Sequence, residues 1–325
     1  MSYKILVAGA GSIGTRHLKN LLKLGYKNFV VCEPDEKKLK TVAGLGDFAL
    51  YKNVKIALKT ETPDVVFVCN PTHLHVQTAN LALDYGAHVF IEKPLSHNLN
   101  GVDALIKKAK AKKRTVMVAC NWRFHEGFKK LKELLDSNKY GKPILSRVFG
   151  GYYLPTARKN VNYKKIYAAG TKGGGVIIDS GAHGVDYLEN FFGKTKYVTA
   201  LKRTAHVLDI KSEEAAIIGL EHENGVISAI VTDYVSRKSN SRIEVITEKG
   251  ILSLDVTNDT LYFEDENKNV LLFRGVQELN HMFMEEVRHF LGCVKNRSKP
   301  AQDLSAAKHV LKVLFAAYYH KPKKV

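Results

Sequence analysis

The stretch ILVAGAGSIG at positions 5–14 decides the fold of this chain. It starts as a short apolar run rich in β-branched residues, which is typical of a buried strand, and continues as the pattern G-x-G-x-x-G. In such a turn Gly9 allows the tight bend, Gly11 lets backbone N–H groups approach a pyrophosphate, and Gly14 permits close packing of helix on strand. The stretch therefore predicts a strand, a phosphate-binding turn and a helix in succession.

Strand-like and helix-like segments alternate over the first 121 residues. The strand-like runs are continuously apolar, so we expect them to be buried on both faces, as in a parallel sheet with helices on each side. The predicted strands lie at 5–8, 29–32, 65–69, 88–91 and 115–119, and the predicted helices at 13–24, 36–43, 54–58, 76–85 and 102–111. This order is typical of a doubly wound α/β domain, whose ligands bind beyond the carboxyl ends of the strands.

The cofactor choice depends on an acidic residue at the end of the second predicted strand. Ser12 and Ile13 begin the helix after the glycine turn, where backbone N–H groups face an anion. Glu33 follows about 20 residues later, where a carboxylate accepts hydrogen bonds from a ribose 2′-OH and repels a 2′-phosphate. The pattern predicts NAD, but Lys37 and Lys38 weaken that repulsion, so NADP stays open as an alternative.

Two further segments at strand ends are expected to border the cofactor. Glu92-Lys93-Pro94 directly follows the strand at 88–91, and the proline restricts the loop that carries the lysine. Asn70 and Pro71 follow the strand at 65–69, where a nicotinamide ribose would pass.

The histidines at 73 and 75 are spaced like a metal-binding pair. No nearby cysteine or third carboxylate completes a ligand set, so no metal site is predicted. We expect His73 and His75 to lie at a helix entry and at the edge of the cleft, with His75 close enough to border the cofactor.

A candidate acid–base pair stands on a predicted helix at 176–192. Three glycines at 173–175 precede it, and Asp179 and His183 are spaced i, i+4, which places carboxylate and imidazole on one helical face. A carboxylate that orients a histidine makes it a general base near neutral pH. The same spacing also occurs in helices where it only stabilises the helix.

The pattern changes after Trp122, which places a domain boundary between residues 1–121 and 122–325. Residues 196–273 alternate as successive strands with turns, so we expect an antiparallel sheet with one face under helices. Two helices are predicted at the end of the chain, at 279–295 and 304–320. The apolar face of the sheet is predicted to carry Ile227, Ala229, Val231, Ile243, Val245, Leu252, Leu254 and Val256, and the opposite face Ser228, Thr232, Glu244 and Ser253.

Composition limits the function classes. The chain has 325 residues, of which 45% are hydrophobic and 25% charged, and no apolar run approaches the length of a membrane span. Four distant cysteines form no disulfide framework, so we expect a cytoplasmic protein. The net charge of +18 suggests a polyanionic partner, but the lysines are spread out, which favours a generally basic surface over a nucleic-acid site.

Together these features resemble the Gfo/Idh/MocA family, which includes glucose–fructose oxidoreductase and inositol dehydrogenase. The resemblance covers nearly the whole chain and is carried by positions 9–14, 70–75 (NPTHLH), 92–94 (EKP), 121–124 (NWRF) and 173–175 (GGG), followed by Asp179, His183 and Asp186. It implies an α/β fold with an N-terminal doubly wound parallel Rossmann sheet and a C-terminal α+β domain with a largely antiparallel open sheet.

The resemblance also implies site roles. Lys93 would contact both the cofactor ribose and a substrate hydroxyl, while Asp179 and His183 would form the acid–base pair. The activity implied is hydride transfer between a nicotinamide and a secondary alcohol or ketone. In that reaction His183 takes the hydroxyl proton and Lys93 stabilises the developing alkoxide, although Lys93 itself could join the proton relay.

The substrate is expected to be a sugar, polyol or sugar derivative. A basic and aromatic set suits an anionic or nucleotide-linked sugar, although a solvated lysine-rich loop is an equal alternative. The residues of that set are Arg123, Tyr152, Tyr153, Arg158, Lys159, Tyr163 and Lys164. Two other functions stay open: a dinucleotide-sensing regulator without turnover, and a nucleic-acid-binding protein.

The open sheet also bears on assembly. Its second face, with Ser228 and Thr232, is expected to be small, polar and exposed. The resemblance implies that such sheets pack against a partner's sheet, so we expect a homo-oligomer, either dimer or tetramer, that loosens when Ser228 is replaced with arginine.

Overall fold

The computed structural model describes residues 3–157, 161–170, 174–276 and 278–323. They form two compact units, one spanning Met1–Asn121 and Phe283–Lys308, the other Trp122–Met282 and His309–Val325. In the described part of the chain, no helix combines the length and apolar character needed to cross a bilayer.

The first unit is built on a parallel sheet, as predicted. Its six strands run in the order β3-β2-β1-β4-β5-β6, and every neighbouring pair is parallel. The strands are β1 (Ile5–Ala8), β2 (Phe29–Cys32), β3 (Ala49–Tyr51), β4 (Val65–Val68), β5 (His88–Ile91) and β6 (Val116–Val118). The helices between them are α1 (Ser12–Lys23), α2 (Glu36–Ala43), α3 (Val54–Glu61), α4 (His75–Asp84) and α5 (Val102–Ala111).

Strand β3 is absent from the sequence prediction. It is three residues long, forms the edge of the sheet beside β2 and is not fully buried, so it leaves no continuous apolar run to detect. The central strands β1 and β4 are wholly buried, which explains why each forms a continuous apolar run that can be recognised in the sequence.

The first unit also contains Phe283–Lys308, which the sequence analysis assigned to the second domain. Phe290 is fully buried and its ring packs 5.8 Å from that of Phe67 in β4 and 5.5 Å from that of Phe90 in β5. The amphipathic pattern of a helix shows that one face is buried, but it does not show against which core.

The second unit is built on a mixed, largely antiparallel sheet, again as predicted. Its strand order is β14-β13-β12-β11-β7-β10-β9-β8, and among the described strands of this sheet only the pair β10–β7 is parallel. The strands are β7 (Pro143–Tyr153), β8 (Thr195–Arg203), β9 (Ala215–His222), β10 (Ile227–Asp233), β11 (Val235–Thr247), β12 (Gly250–Asp255), β13 (Thr260–Glu264) and β14 (Asn269–Arg274). The remaining α-helices among the described residues are α6 (Glu126–Asp136), α7 (Val176–Asp179), α8 (Gly181–Phe192), α9 (Leu279–Asn296) and α10 (Leu304–Tyr319).

The predicted faces of this sheet are right for β11 but wrong for β10, and in β12 the apolar residues are buried as predicted whereas Ser253, predicted to be exposed, is buried as well. Ile243, Val245, Leu252 and Leu254 are buried, whereas Ile227 and Val231 are 54% and 37% exposed and Ser228 and Thr232 are buried. The hydroxyls of β10 are satisfied inside: Ser228 Oγ lies 2.9 Å from His222 Nε2, and Thr232 Oγ donates to the Gly150 carbonyl at 2.7 Å. Because both hydroxyls find partners, β10 buries the face that carries Ile230.

Helices α7 and α8 lie on this buried face of the sheet. A Cβ built on Gly184 would sit 2.8 Å from Ile230 Cδ1, and one on Gly181 would sit 3.3 Å from Ile218 Cδ1. Small residues therefore let α8 approach the sheet closely, which fixes the depth of the residues that α7 and α8 carry.

Candidate functional site

The glycine turn of the first unit fits a dinucleotide phosphate. A Cβ on Gly14 would lie 1.9 Å from the Gly9 carbonyl oxygen, and one on Gly9 (φ +103°) would lie 2.6 Å from Asn70 N, so both contacts require glycine. A Cβ on Gly11 would meet nothing within 4 Å, and α1 begins there without a side-chain cap. The open space beside Gly11 therefore faces a helix N-terminus, which is the arrangement that binds phosphate.

Glu33 lies directly beside this turn. Its carboxylate is buried and accepts hydrogen bonds from the N–H of Ala10 at 2.7 Å and of Asp35 at 3.1 Å. Lys38 Nζ lies 4.0 Å from it. The acid is thus fixed to the glycine turn, and its contact with a ribose hydroxyl stays a prediction.

Asn70 and His75 stand at the end of β4. Asn70 Nδ2 donates to Thr78 Oγ1 at 2.8 Å, while Asn70 Oδ1 is buried without a hydrogen-bond partner, so it is an acceptor suited to a donor group of a bound cofactor. His75 is buried, with its ring nitrogens 3.0 Å from the Pro94 carbonyl and 2.9 Å from the Asn70 carbonyl. Burial lowers the pKa of His75 although both carbonyls oppose that shift.

The ring of His75 therefore lies between the loop after β4 and the loop after β5, and the single N–H of its neutral form donates to one of the two carbonyls. Pro71 lies between Asn70 and His75 in the sequence; it is exposed and precedes a single 3₁₀ turn at Thr72–Leu74. Contacts of Pro71 and His75 with a cofactor stay predictions.

The loop after β5 carries the predicted catalytic lysine. Glu92 is buried, its Oε1 lies 2.5 Å from His17 Nε2, and its Oε2 accepts the backbone N–H of Lys93 at 3.2 Å. Burial alone would raise the pKa of Glu92, but the hydrogen bond and charge of His17, with the charge of Lys93, bring it below its usual value. Lys93 precedes a cis peptide bond to Pro94 and is partly exposed.

In the second unit, Asp179 is held by two tyrosines. The buried carboxylate accepts a short hydrogen bond from Tyr167 Oη and one of 3.1 Å from Tyr234 Oη. Tyr234 is wholly buried, and its burial together with the charge of Asp179 raises its pKa, so it stays a neutral donor. Sequence reasoning missed both tyrosines, because nothing local marks which tyrosine of a strand or loop reaches a particular carboxylate.

The helix that carries the acid–base pair is interrupted, in contrast to the single predicted helix. Asp179 ends α7, Ser180 separates the two segments, and His183 lies in the first turn of α8, with its N–H donating to the Ser180 carbonyl at 3.2 Å. The partly buried His183 ring stands nearly perpendicular to Trp122, 6.2 Å away. Of the three preceding glycines, Gly173 lies outside the described residues, and Gly175 has a φ of +91°.

The predicted substrate residues are held in several different ways. Arg123 forms a two-pronged ion pair with Asp186, with Nη2–Oδ1 and Nε–Oδ2 distances of 2.6 and 3.0 Å. The Tyr153 ring lies 3.9 Å from the guanidinium carbon of Arg237.

The rest of that basic and aromatic set is tied to neighbouring loops. Tyr152 packs 5.3 Å from the Tyr234 ring, Tyr163 Oη donates to the Leu208 carbonyl and Lys164 pairs with Asp209. Arg158 and Lys159 lie outside the described residues.

Comparison with known proteins identifies the family of the chain. Residues 3–120 match the family model described as "Oxidoreductase family, NAD-binding Rossmann fold", and residues 128–253 match the GFO/IDH/MocA C-terminal domain. The chain is 27% identical over 97% of its length to a myo-inositol 2-dehydrogenase of Thermotoga maritima, covering 95% of that protein. It is 24% identical over 90% of its length to scyllo-inositol 2-dehydrogenase (NAD(+)) of Bacillus subtilis, covering 86% of that protein.

A solved structure shows the same architecture. The crystal structure of a probable dehydrogenase from Thermotoga maritima superposes with a TM-score of 0.82 at 26% identity, covering 97% of this chain and 95% of that one. The two family models, which follow one another along the chain, and the match along nearly its whole length lead to one conclusion: the protein is an oxidoreductase that belongs to the Gfo/Idh/MocA family.

Proposed function

We propose that this protein is an NAD-dependent dehydrogenase that oxidises a secondary alcohol of a cyclic polyol or sugar. The observation that carries the proposal is the match of nearly the whole chain to inositol 2-dehydrogenases. Two observations support it: the backbone of Lys93 is fixed, and the buried carboxylate of Asp179 accepts two hydrogen bonds. The proposed chemistry requires both the Lys93 and the Asp179 side chain.

The cofactor is held by residues of the first unit. The N–H groups of Gly11, Ser12 and Ile13 would bind the pyrophosphate, Glu33 would accept a hydrogen bond from a ribose hydroxyl, and Asn70 Oδ1 would accept one from a donor group of the cofactor. When bound, the nicotinamide supplies the hydride acceptor or donor. Gly9 and Gly14 keep the turn close enough to the sheet for these contacts.

The remaining residues move and stabilise charge on the reacting hydroxyl. His183 accepts the hydroxyl proton, and the carboxylate of Asp179 stabilises the imidazolium that forms. Tyr167 and Tyr234 direct their O–H groups at Asp179, which keeps that carboxylate in place. The Lys93 ammonium stabilises the alkoxide in oxidation and polarises the ketone in the reverse direction.

The substrate class is tested by comparing kcat/KM for inositols, uronates and nucleotide sugars with NAD. Because Arg123 is paired with Asp186, we favour a neutral cyclic polyol over an anionic or nucleotide-linked sugar. We expect an inositol to give the highest kcat/KM. A nucleotide sugar that is turned over more efficiently than every inositol would contradict this choice of substrate, although not the reaction type.

Glu33 is expected to set the cofactor preference. Replacing Glu33 with alanine removes the acceptor of the ribose hydroxyl and the charge that repels a 2′-phosphate, and it leaves Lys38 nearby. We expect the preference for NADH over NADPH to narrow by about tenfold, which corresponds to about 1.4 kcal/mol. Fluorescence titration of both cofactors measures the ratio.

Glu36→Ala is the matched control for Glu33, because Glu36 is an exposed acid three residues further on that pairs with Lys52. Its ratio of NADH to NADPH affinity should equal that of the unaltered protein. An unaltered protein that prefers NADPH would remove the role assigned to Glu33.

We also propose that the protein is a homo-oligomer that associates through the open face of the second unit's sheet. The row Leu201–Ile217–Val231–Phe149 runs across four adjacent strands, and each of these apolar side chains is at least 37% exposed. A contiguous exposed apolar row is typical of an interaction surface. Since Ser228 is buried, arginine at that position would disrupt the core, so it does not test assembly.

Ile217→Arg places a charge in the middle of this row and should reduce the mass in solution. Light scattering at micromolar concentration measures it, and Ile56→Arg in α3 is the control, because Ile56 is 57% exposed and lies in the other unit. A mass of one chain for the unaltered protein would end the proposal.

A further inference from the structure

One buried histidine connects the helix after the glycine turn with the loop after β5, which carries Lys93. His17 lies in α1, has no solvent exposure, and is surrounded by the rings of Phe67, Phe90 and Phe283 at 5.6, 5.2 and 6.4 Å. A polar side chain in such surroundings is costly unless it has a hydrogen-bond partner. An aromatic or aliphatic residue would fill this space without that cost, so the histidine requires another explanation.

The partner of His17 is the carboxylate that precedes Lys93. His17 Nε2 lies 2.5 Å from Glu92 Oε1, and because a carboxylate only accepts, the imidazole donates. The other oxygen, Glu92 Oε2, accepts the backbone N–H of Lys93 at 3.2 Å. A hydrogen-bonded chain therefore runs from α1 through His17 and Glu92 to the main chain of Lys93.

His75 fixes the opposite side of the same lysine. One of its ring nitrogens lies 3.0 Å from the carbonyl of Pro94 and the other lies 2.9 Å from that of Asn70. Glu92 thus holds the backbone of Lys93 on its N-terminal side, and the buried ring of His75 packs against the Pro94 carbonyl on its C-terminal side, although the neutral ring has one N–H and donates to only one of the two carbonyls. A lysine side chain has four rotatable bonds, so a fixed backbone is needed to aim its ammonium group.

We propose that His17 is a positioning residue for Lys93, acting through Glu92. Without the imidazole, the buried carboxylate of Glu92 loses its main compensating contact and is driven towards another cation, the nearest in sequence being the ammonium of Lys93 itself. Lys93 would then be drawn away from the reacting oxygen. This inference rests on the proposed function, because it requires Lys93 to act on the substrate.

The first test compares His17→Leu, which lacks a donor, with His17→Gln, whose amide can donate to Glu92. We expect His17→Leu to lower kcat by about 10–100-fold, since small misplacements of a catalytic group have effects of this size, with little change in NADH affinity. His17→Gln should recover most of the lost kcat. A loss of NADH affinity equal to the loss of kcat/KM, with kcat retained, would show that His17 acts on the cofactor turn and would overturn the inference.

The second test repeats His17→Leu in a Lys93→Ala background. If His17 acts through Lys93, the substitution should produce no further loss of kcat there. The same fold-loss in both backgrounds would overturn the inference. Full turnover by Lys93→Ala alone would instead overturn the proposed function, so the two failures are distinguishable.

A second buried histidine provides the control for an effect that comes only from loss of stability. His222 is also fully buried, and its ring nitrogens lie 3.0 Å from the Gly193 carbonyl and 2.9 Å from Ser228 Oγ in the other unit. His222→Leu should lower the thermal midpoint but leave kcat unchanged at a temperature where the protein is folded. If His17→Leu does not fold, Glu92→Gln carries the test: it should lower kcat, and adding His17→Phe, which also lacks a donor, should lower it no further, whereas independent losses would overturn the inference.

Discussion

Replacing Lys93 with alanine is expected to reduce kcat by about 10²–10⁴-fold while NADH still binds. The substitution removes the ammonium group that stabilises the alkoxide but leaves the backbone contacts with Glu92 and the Pro94 carbonyl intact. Steady-state turnover with the best substrate and fluorescence titration of NADH measure the two quantities separately.

Lys107→Ala is the matched control, because Lys107 is an exposed lysine in α5 of the same unit. It should behave as the unaltered protein in both assays. His183→Ala should lose turnover on the same order as Lys93→Ala, since it removes the general base. Retention of most of the activity by either variant would show that the catalytic residue has been wrongly assigned.

Replacing Gly14 with alanine should lower both stability and NADH affinity, whereas replacing Gly11 with alanine should lower NADH affinity alone. A methyl at position 14 would lie 1.9 Å from the Gly9 carbonyl oxygen, so the turn itself must move. We expect a loss of about 3 kcal/mol or more in the free energy of unfolding, at the upper end of what overpacking costs, together with loss of NADH binding.

A methyl at position 11 meets no protein atom within 4 Å, and the φ of −69° there suits alanine. Gly11→Ala should therefore change the free energy of unfolding by less than about 0.5 kcal/mol, as is usual for substitutions without a steric consequence. It should nevertheless lower NADH affinity more than about tenfold, because the methyl occupies the side of the turn that the pyrophosphate approaches. Unaltered NADH affinity in Gly11→Ala would show that the pyrophosphate does not bind at this turn.

The first unit could be predicted from the sequence because its information is local. The glycine turn follows a strand whose four residues are all buried. Both the strand and the requirement for glycine at positions 9 and 14 can therefore be recognised from adjacent residues. Strand β3 was missed because a half-exposed edge strand of three residues has no such pattern.

The second sheet shows what alternation leaves undetermined. In β10 both faces are plausible cores, one with Ile227, Ala229 and Val231, the other with Ile230 between two hydroxyl residues. The choice was made by partners outside the strand: His222 of the adjacent strand β9, six residues away in sequence, meets Ser228, and the carbonyl of Gly150, 82 residues away, meets Thr232. Contacts that depend on which strands pair cannot be inferred from the strand itself.

The same reason separates the predicted site residues from those that were missed. Lys93, Asp179 and His183 stand in recognisable local motifs, whereas the residues that hold them come from distant positions. His17 precedes Glu92 by 75 residues, and Tyr234 follows Asp179 by 55. Motifs thus identify the groups proposed to act on the substrate, and the fold supplies the groups that orient them.

The most direct test of hydride transfer from a polyol to the nicotinamide uses a substrate labelled with deuterium at the carbon that is oxidised. The protein is mixed with NAD and labelled inositols, and the reduced cofactor is analysed by mass spectrometry. The account predicts NADH that carries the deuterium, formed by the unaltered protein and greatly reduced in Lys93→Ala. A protein that binds NADH but forms no labelled cofactor with any inositol, uronate or nucleotide sugar would contradict it and would favour a dinucleotide-binding role without turnover.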